Sequence, residues 1–365
     1  MGVKRIFVGA AALGAAGLLY ANLETRWFEV KRVTVPILPP GQPDIRVLQL
    51  ADLHYLPSQD AKTRWLESLG ELKPDLVVDT GDNVSSRASI PALLDVLGRA
   101  GLLEVPGVFV GGSNDYYAPI MKNPARYLTH HQIPVDLPPL PWRELFGGFE
   151  AAGWVNLNNR RGQVTLPSGQ TLDFVGTDDA HHENDEFPAP SPTRHSAATP
   201  IGWGAQNLKG ALASSSSEIL RSASLRSLPQ DDVVNDADSV VARIGVTHAP
   251  YLRVLQQFKD DGVALVIAGH THGGQLRIPG FGAIVTNCDL DRHRAEGLHG
   301  WPGGRPDAQA SLPVGVAAVG SRPTSLNGRD SIWLYVSAGA GTSPYTPFRF
   351  DCRPSATLLT LTAAP

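Results

Sequence analysis

Cysteine is scarce in this chain: Cys288 and Cys352 are the only two in 365 residues. So few thiols exclude a disulfide scaffold and a thiolate zinc finger. Either they form a single bridge, if the domain lies outside the cytoplasm, or they are two buried thiols. Charge is sparse too, at 18 % of residues with a formal net charge of -4. No basic excess is available to neutralise a phosphate backbone, so no nucleic-acid partner is expected. No internal repeat of the solenoid kind is present. What the chain does have is glycine (37) and proline (30), which place many residues in turns. With 42 % hydrophobic residues, the length suits one large α/β domain carrying insertions.

Lys4 and Arg5 precede an uncharged run, Ile6 to Ala21. The run falls short of the about 20 residues of a spanning helix and exceeds the about 7 to 15 of a signal core. No Ala-x-Ala cleavage site follows, which favours an uncleaved signal anchor over residues 1–24. The positive flank then puts the N-terminus in the cytoplasm and the body outside. The alternative is an apolar helix buried in the domain, although the run has no polar stripe. A linker over 25–44 leads to a domain expected over 45–363.

Within that domain, apolar runs alternate with helical periodicity. "DIRVLQLAD" (Asp44 to Asp52) reads as a strand, "AKTRWLESLGEL" (Ala61 to Leu72) as a helix and "PDLVVDTGDN" (Pro74 to Asn83) as a strand. "IPALLDVLGRAG" reads as a helix that Gly101 stops, and "VPGVFVGGSND" as a third strand. Such alternation argues for parallel βαβ units. Further strands are "LDFVGTDDAHH", "SVVARIGVTHAP", "GVALVIAGHTHGGQL", "SIWLYVSAGAG" and "ATLLTLTA". Loop-rich insertions are expected at about 117–145, 183–238 and 294–327.

The polar residues fall where these strands end. Asp52 and His54 follow the first strand, Asp82 the second and Asn114 the third. His248 follows a later one, and His270 and His272 the next. Ligand sites in open α/β sheets lie beyond the carboxyl ends of the strands. Seven Asp, Asn and His side chains therefore converge on one edge. A mixed nitrogen and oxygen set without thiolate suits a pair of divalent ions, Mn, Fe or Zn, with the Asp82 carboxylate as the bridge. Asp52-x-His54 and His270-x-His272 each project to one side if the backbone there is extended. Gly81, Gly269, Gly273 and Gly274 allow sharp turns beside the ions.

"DLH", "GDN", "GSND", "THAP" and "GHTHGGQ", in this order, resemble the motifs of the calcineurin-like metallophosphoesterase superfamily. The later "VSAGAGTSPY" and the N-terminal run are similar to its membrane-anchored or exported bacterial branch. The resemblance runs from about Arg46 to Leu361. It implies an α/β fold, a four-layer α/β/β/α sandwich, here preceded by an N-terminal transmembrane helix. It implies one ion held by Asp52, His54, Asp82 and His272, and a second by Asp82, Asn114, His248 and His270. A hydroxide bridging the ions would attack phosphorus in line, in a phosphodiester or phosphomonoester.

The third motif departs from the family's Gly-Asn-His-Asp or Gly-Asn-His-Glu. Without a gap, Ser113 takes the Asn position and Asn114 the His position. With a loop one residue longer, Asn114 keeps the ligand position and Asp115 falls where the His would be. The second register is favoured, because an amide oxygen is a usual ligand for a hard ion and a neutral hydroxyl a poor one. Asp82, Asn114 and Asp115 are then the expected catalytic set. Asp178, Asp179, His181 and Arg277 are candidate substrate contacts. Arg349, like Arg277, reads either as a contact to phosphate oxygens or as a solvated arginine, the second being favoured. Asp289 to Trp301 reads either as a lip over the site or as a solvated loop. The expected substrate is a phosphate ester, of lipid or cell-envelope origin if the anchor holds the domain at a membrane. The competing reading is a metal-binding scaffold with little or no catalysis, which the missing histidine favours.

Overall fold

The computed structural model describes residues 14–119, 137–189, 240–302, 331–343 and 346–364. These all belong to one compact unit. Residues 14–24 are helical (α1). Strands β1 (Glu29–Leu38) and β2 (Ile45–Leu50) follow, then helix α2 (Asp60–Ser68), which tightens into a 3₁₀ turn at Leu69–Leu72. Next come β3 (Leu76–Asp79), α3 (Ser89–Arg99), β4 (Gly107–Phe109), the single turn α4 (Ser113–Tyr116), α5 (Trp142–Ala151), β5 (Val155–Asn156), β6 (Arg161–Thr165) and β7 (Thr171–Gly176). Beyond 240 lie β8 (Val240–Thr247), α6 (Leu252–Asp260), β9 (Leu265–Ala268), the hairpin β10 (Arg277–Ile278) and β11 (Gly282–Ala283), β12 (Gly297–Trp301), β13 (Ile332–Val336) and β14 (Ser355–Ala363).

The long strands form two six-stranded mixed sheets, ordered β1-β14-β2-β3-β4-β5 and β12-β13-β9-β8-β7-β6. Strands β2, β3, β4 and β5 run parallel, as do β7, β8, β9 and β13. Side chains of a strand alternate between its two faces, and here both faces are apolar. Val47, Val78, Val108 and Leu359 of the first sheet share one core cluster with Phe174, Ile244, Ile267 and Tyr335 of the second. Their neighbours Leu48, Leu50, Val77 and Phe109 join Leu66, Leu93, Leu97 and Phe149 of α2, α3 and α5. On the second sheet, Val175, Val266 and Leu334 join Val254, Leu255 and Phe258 of α6. The apolar runs are continuous in the sequence because these strands are covered on both sides.

Several boundaries differ from the sequence expectation. The linker 25–44 carries the ten-residue strand β1, which pairs in parallel with β14 at the far end of the chain. A pairing over that sequence distance leaves no local signal. The insertion at 117–145 includes the start of α5, whose Leu145, Phe146 and Phe149 are buried. Within 294–327, residues 297–301 form β12, antiparallel to β13, so the Asp289 to Trp301 stretch ends in a sheet strand. Residues 120–136, most of the 183–238 insertion and all of 303–327 lie outside the described residues. So does the first part of the expected anchor, 1–13; among the described residues no helix is long and apolar enough to cross a membrane. Cys288 and Cys352 are free thiols, Cys352 buried and Cys288 half-buried.

Candidate metal centre

The loops that leave β2 and β3 run side by side. Asp52, His54 and Tyr55 donate their backbone N–H groups to the carbonyls of Gly81, Asp82 and Asn83, each at 2.9 Å. The β9 loop joins them from the other sheet: His270 N–H donates to both oxygens of Asp52 at 3.0 Å. Parallel strands from two sheets thus deliver their carboxyl ends to one place.

The backbone there is not extended. Asp52, His54, Asp82, His270 and His272 all have positive φ, between 39° and 69°. This corrects the reading of Asp52-x-His54 and His270-x-His272 as extended pairs. Left-handed φ in residues other than glycine costs about 1–3 kcal/mol each and collects at functional sites. Tight approach explains the neighbouring glycines. A Cβ on Gly269 would sit 2.8 Å from Asp52 Oδ2, and one on Gly339 2.6 Å from Asp52 Cβ. Gly81, Gly273 and Gly274 adopt φ of 87°, 64° and 82°.

Four side chains meet. Asp52, His54, Asp82 and His272 are all buried, and each offers a ligand atom within 4.8 Å of the others. His54 Nε2 lies 3.3 Å from His272 Nε2 and 3.4 Å from Asp82 Oδ2, and His272 Nε2 lies 3.8 Å from Asp52 Oδ1. An ion bonded at about 2.0–2.2 Å holds neighbouring donor atoms about 3–3.5 Å apart, so these separations fit a shared cation. The Nδ1 atoms of His54 and His272 are buried without a hydrogen-bond partner among the described residues. Burial drives both imidazoles toward the neutral form, His54 down to about 4 and His272 well below its usual value. Their Nε2 lone pairs therefore face two carboxylates across a buried gap, an arrangement that a cation satisfies and the side chains alone do not.

Around Asp82 a second group gathers. His248 Nε2 lies 3.6 Å from Asp82 Oδ1 and 3.3 Å from His270 Nδ1. His248 Nδ1 donates to the Thr80 carbonyl at 2.8 Å, and His270 Nε2 to that of Asn287 at 3.2 Å, which orients the other ring nitrogens toward each other beside Asp82. Asn114 donates to both Asp82 oxygens, N–H to Oδ1 and Nδ2 to Oδ2, each at 2.7 Å. Burial alone would raise Asp82, but His248, His54 and these bonds overcome it and hold the carboxyl well below its usual range. Burial lowers His248 while Asp82 and Asp52 raise it, with a net rise to about 9. Burial pushes Asp52 up to about 7.

Ser113 turns elsewhere: its hydroxyl donates to Asp179 Oδ2 at 2.6 Å. Of the two register candidates, only Asn114 is bonded to Asp82. Asp115 faces backbone donors: its fully buried carboxyl accepts from Gly112 N, Asp82 N and Asn83 N at 3.0, 2.9 and 2.8 Å. It ties the β4 loop to the β3 loop. Burial and the nearby Asp82 push it up to about 8.

The β7 loop closes one side. Asp179 also accepts from His181 N–H at 2.9 Å, and Asp178 accepts from Tyr116 Oη at 2.7 Å. The His181 ring sits against His270 with centroids 4.7 Å apart, and its Nδ1 lies 3.0 Å from Tyr251 Oη. Burial and then His270 lower His181 to about 3. Arg277 is not directed at the gap: its guanidinium pairs with Glu296 at 2.7 Å. Arg349, read as solvated, is fully buried and donates to the carbonyls of Gly341, His272, Cys352, Ala338 and Gly339. It binds the β9 loop to the segment after β13. Sequence spacing carries no signal for it, because its partners are backbone carbonyls and the Cys352 thiol.

A family model described as "Calcineurin-like phosphoesterase" matches residues 45–274. The "Uncharacterized protein YpbG" of Bacillus subtilis (strain 168) is 24 % identical over 281 residues, covering 75 % of this chain and 78 % of that protein. Among solved structures, TT1561 of Thermus thermophilus aligns at 11 % identity and a TM-score of 0.32, covering 62 % of this chain and 82 % of that one.

Proposed function

Because the chain belongs to the calcineurin-like phosphoesterase family, we propose that it hydrolyses phosphodiester or phosphomonoester bonds with two divalent ions. The observation that carries this reading is the meeting of Asp52, His54, Asp82 and His272 within 4.8 Å. These four would hold the first ion, and Asp82, Asn114, His248 and His270 would hold the second. The donor set suits Mn, Fe or Zn. Such ions, when bound, lower the pKa of a water and neutralise charge developing on the phosphoryl oxygens. The chain's own residues prepare the site. Asp82 stays ionised, Thr80 fixes the His248 tautomer, and Asn114 keeps the Asp82 carboxylate from rotating. With no histidine at 113–115, His181, whose ring packs against His270, is the candidate imidazole for protonating the leaving group.

Three apolar clusters, one between the sheets and one under the helices of each, support the four-layer α/β/β/α stacking. The uncharged run 6–21 behind Lys4 and Arg5 supports a single-pass anchor with the domain outside the cytoplasm. An anchored domain meets phosphate esters of lipid or envelope origin. The inward turn of Asp115 favours the second reading, a metal-binding scaffold without turnover. Hydrolysis of an activated aryl phosphodiester with added Mn separates the two. The enzyme reading expects Mn-dependent turnover that falls at least about 100-fold in Asp82→Ala. Bound metal without turnover in the wild type would establish the scaffold instead.

A further inference from the structure

We propose that a cavity beside the start of α2 is a binding site for a phosphate group, held by Lys62, Arg26 and Arg64. The cavity has a volume of about 510 Å³, and these three cations line it with a single acid, Asp60. Lys62 is only 4 % exposed. Its ammonium donates to the Leu53 carbonyl at 2.6 Å, and no carboxylate pairs with it among the described residues. One hydrogen bond uses one of its three donors. Burying an unpaired ammonium is costly, and burial lowers Lys62 to about 7. A bound anion removes that cost. Arg26 and Arg64 are exposed at the same cavity and have no ion-pair partner among the described residues.

The backbone adds to this. Gln59, at the N-cap of α2, makes no side-chain cap, and Ser58 through Ala61 form part of the wall, so the uncapped start of the helix borders the same space. The opposite wall is Ala340 to Thr342, the segment after β13 that is bonded to the ligand-bearing loop. Lys62 bonds the residue between Asp52 and His54, and Gly341, another lining residue, donates to the Asp52 carbonyl at 2.6 Å. A phosphate in this cavity sits one strand-end away from the metal centre. Thr25 and Arg26 follow directly on α1, whose Leu18, Leu19 and Leu23 are exposed. The same group could therefore arrive on a soluble ester or on a lipid headgroup. The proposal does not depend on whether the centre turns over.

Calorimetric titration of inorganic phosphate and of a short-chain phosphatidic acid into the full chain, after chelation of metals, tests it. The expected result is one phosphate per chain, weakened at least about tenfold, one charged hydrogen bond, in Lys62→Met and in Arg64→Ala. Asp82→Ala should leave that affinity unchanged. Arg64 is exposed, so Arg64→Ala keeps the test valid if Lys62→Met fails to fold. Tighter binding of phosphatidic acid, with the same variant losses, assigns the site to a lipid headgroup; equal binding assigns it to a soluble ester. No binding, or binding insensitive to Arg64→Ala, overturns the proposal.

Discussion

Asp115→Asn separates two roles that one carboxylate could have. Oδ2 accepts from Gly112 N, Asp82 N and Asn83 Nδ2 at 3.0, 2.9 and 3.4 Å, and Oδ1 from Asn83 N at 2.8 Å. An asparagine keeps most of these bonds by placing its oxygen at Oδ2. Its NH₂ then faces the Asn83 N–H, donor against donor. One buried donor is orphaned, at about 1–3 kcal/mol, and above about pH 8, where Asp115 is ionised, the remaining bonds also lose their charge assistance, at about 1 kcal/mol more in total. The summed loss there is about 2–4 kcal/mol, a sizeable part of a typical stability of about 5–15 kcal/mol. The urea midpoint of the metal-free chain reads it. Metal affinity should fall about 10–100-fold, as for other groups that orient ligands. If Asp115 were instead the proton donor, stability and metal affinity would hold. Hydrolysis of esters with poor leaving groups would then fall about 10²–10⁴-fold while activated aryl esters were spared. That selective loss would refute the clamp.

Arg349→Met removes the donors for five buried carbonyls and should cost about 3–5 kcal/mol in urea unfolding; Arg349→Lys, with three donors, should recover less than half. Lys62→Met should stabilise the anion-free chain. The folded pKa of Lys62 is lowered, from 10.5 to about 7, so the lysine's penalty is absent above about pH 10.5, grows as pH falls and is complete below about 7. The gain should be about 3–5 kcal/mol at neutral pH and vanish near pH 10.5 in thermal or urea melts. A gain independent of pH would contradict a buried ammonium. Asn114→Ala should weaken one of two metal equivalents in a Mn titration, while Ser113→Ala changes neither; the reverse would assign the ligand position to Ser113.

What the sequence revealed is what strand periodicity and strand ends encode. Continuous apolar runs marked β2, β3, β7, β8, β9 and β13, and the polar residues after several of them named the candidate ligands. Four of these, Asp52, His54, Asp82 and His272, meet as one buried group. The rest is non-local. The partner of β1 is β14, and the partners of Arg349 are carbonyls on two distant loops. For Asp115 a motif offset shows position and not direction. Only the folded loops reveal that its carboxylate faces backbone N–H groups. The left-handed φ at Asp52 and His54 was hidden for a related reason. A side chain such as aspartate or histidine enters that region only when its surroundings hold it there.

The most direct test is turnover of an activated aryl phosphodiester by metal-stripped full-length protein as Mn is added back, with bound metal counted in the same samples. Activity should rise until two ions are bound per chain, and Asp82→Ala should bind less metal and stay inactive. Full occupancy of both sites with no turnover, or turnover that Asp82→Ala leaves intact, would contradict hydrolysis with two ions.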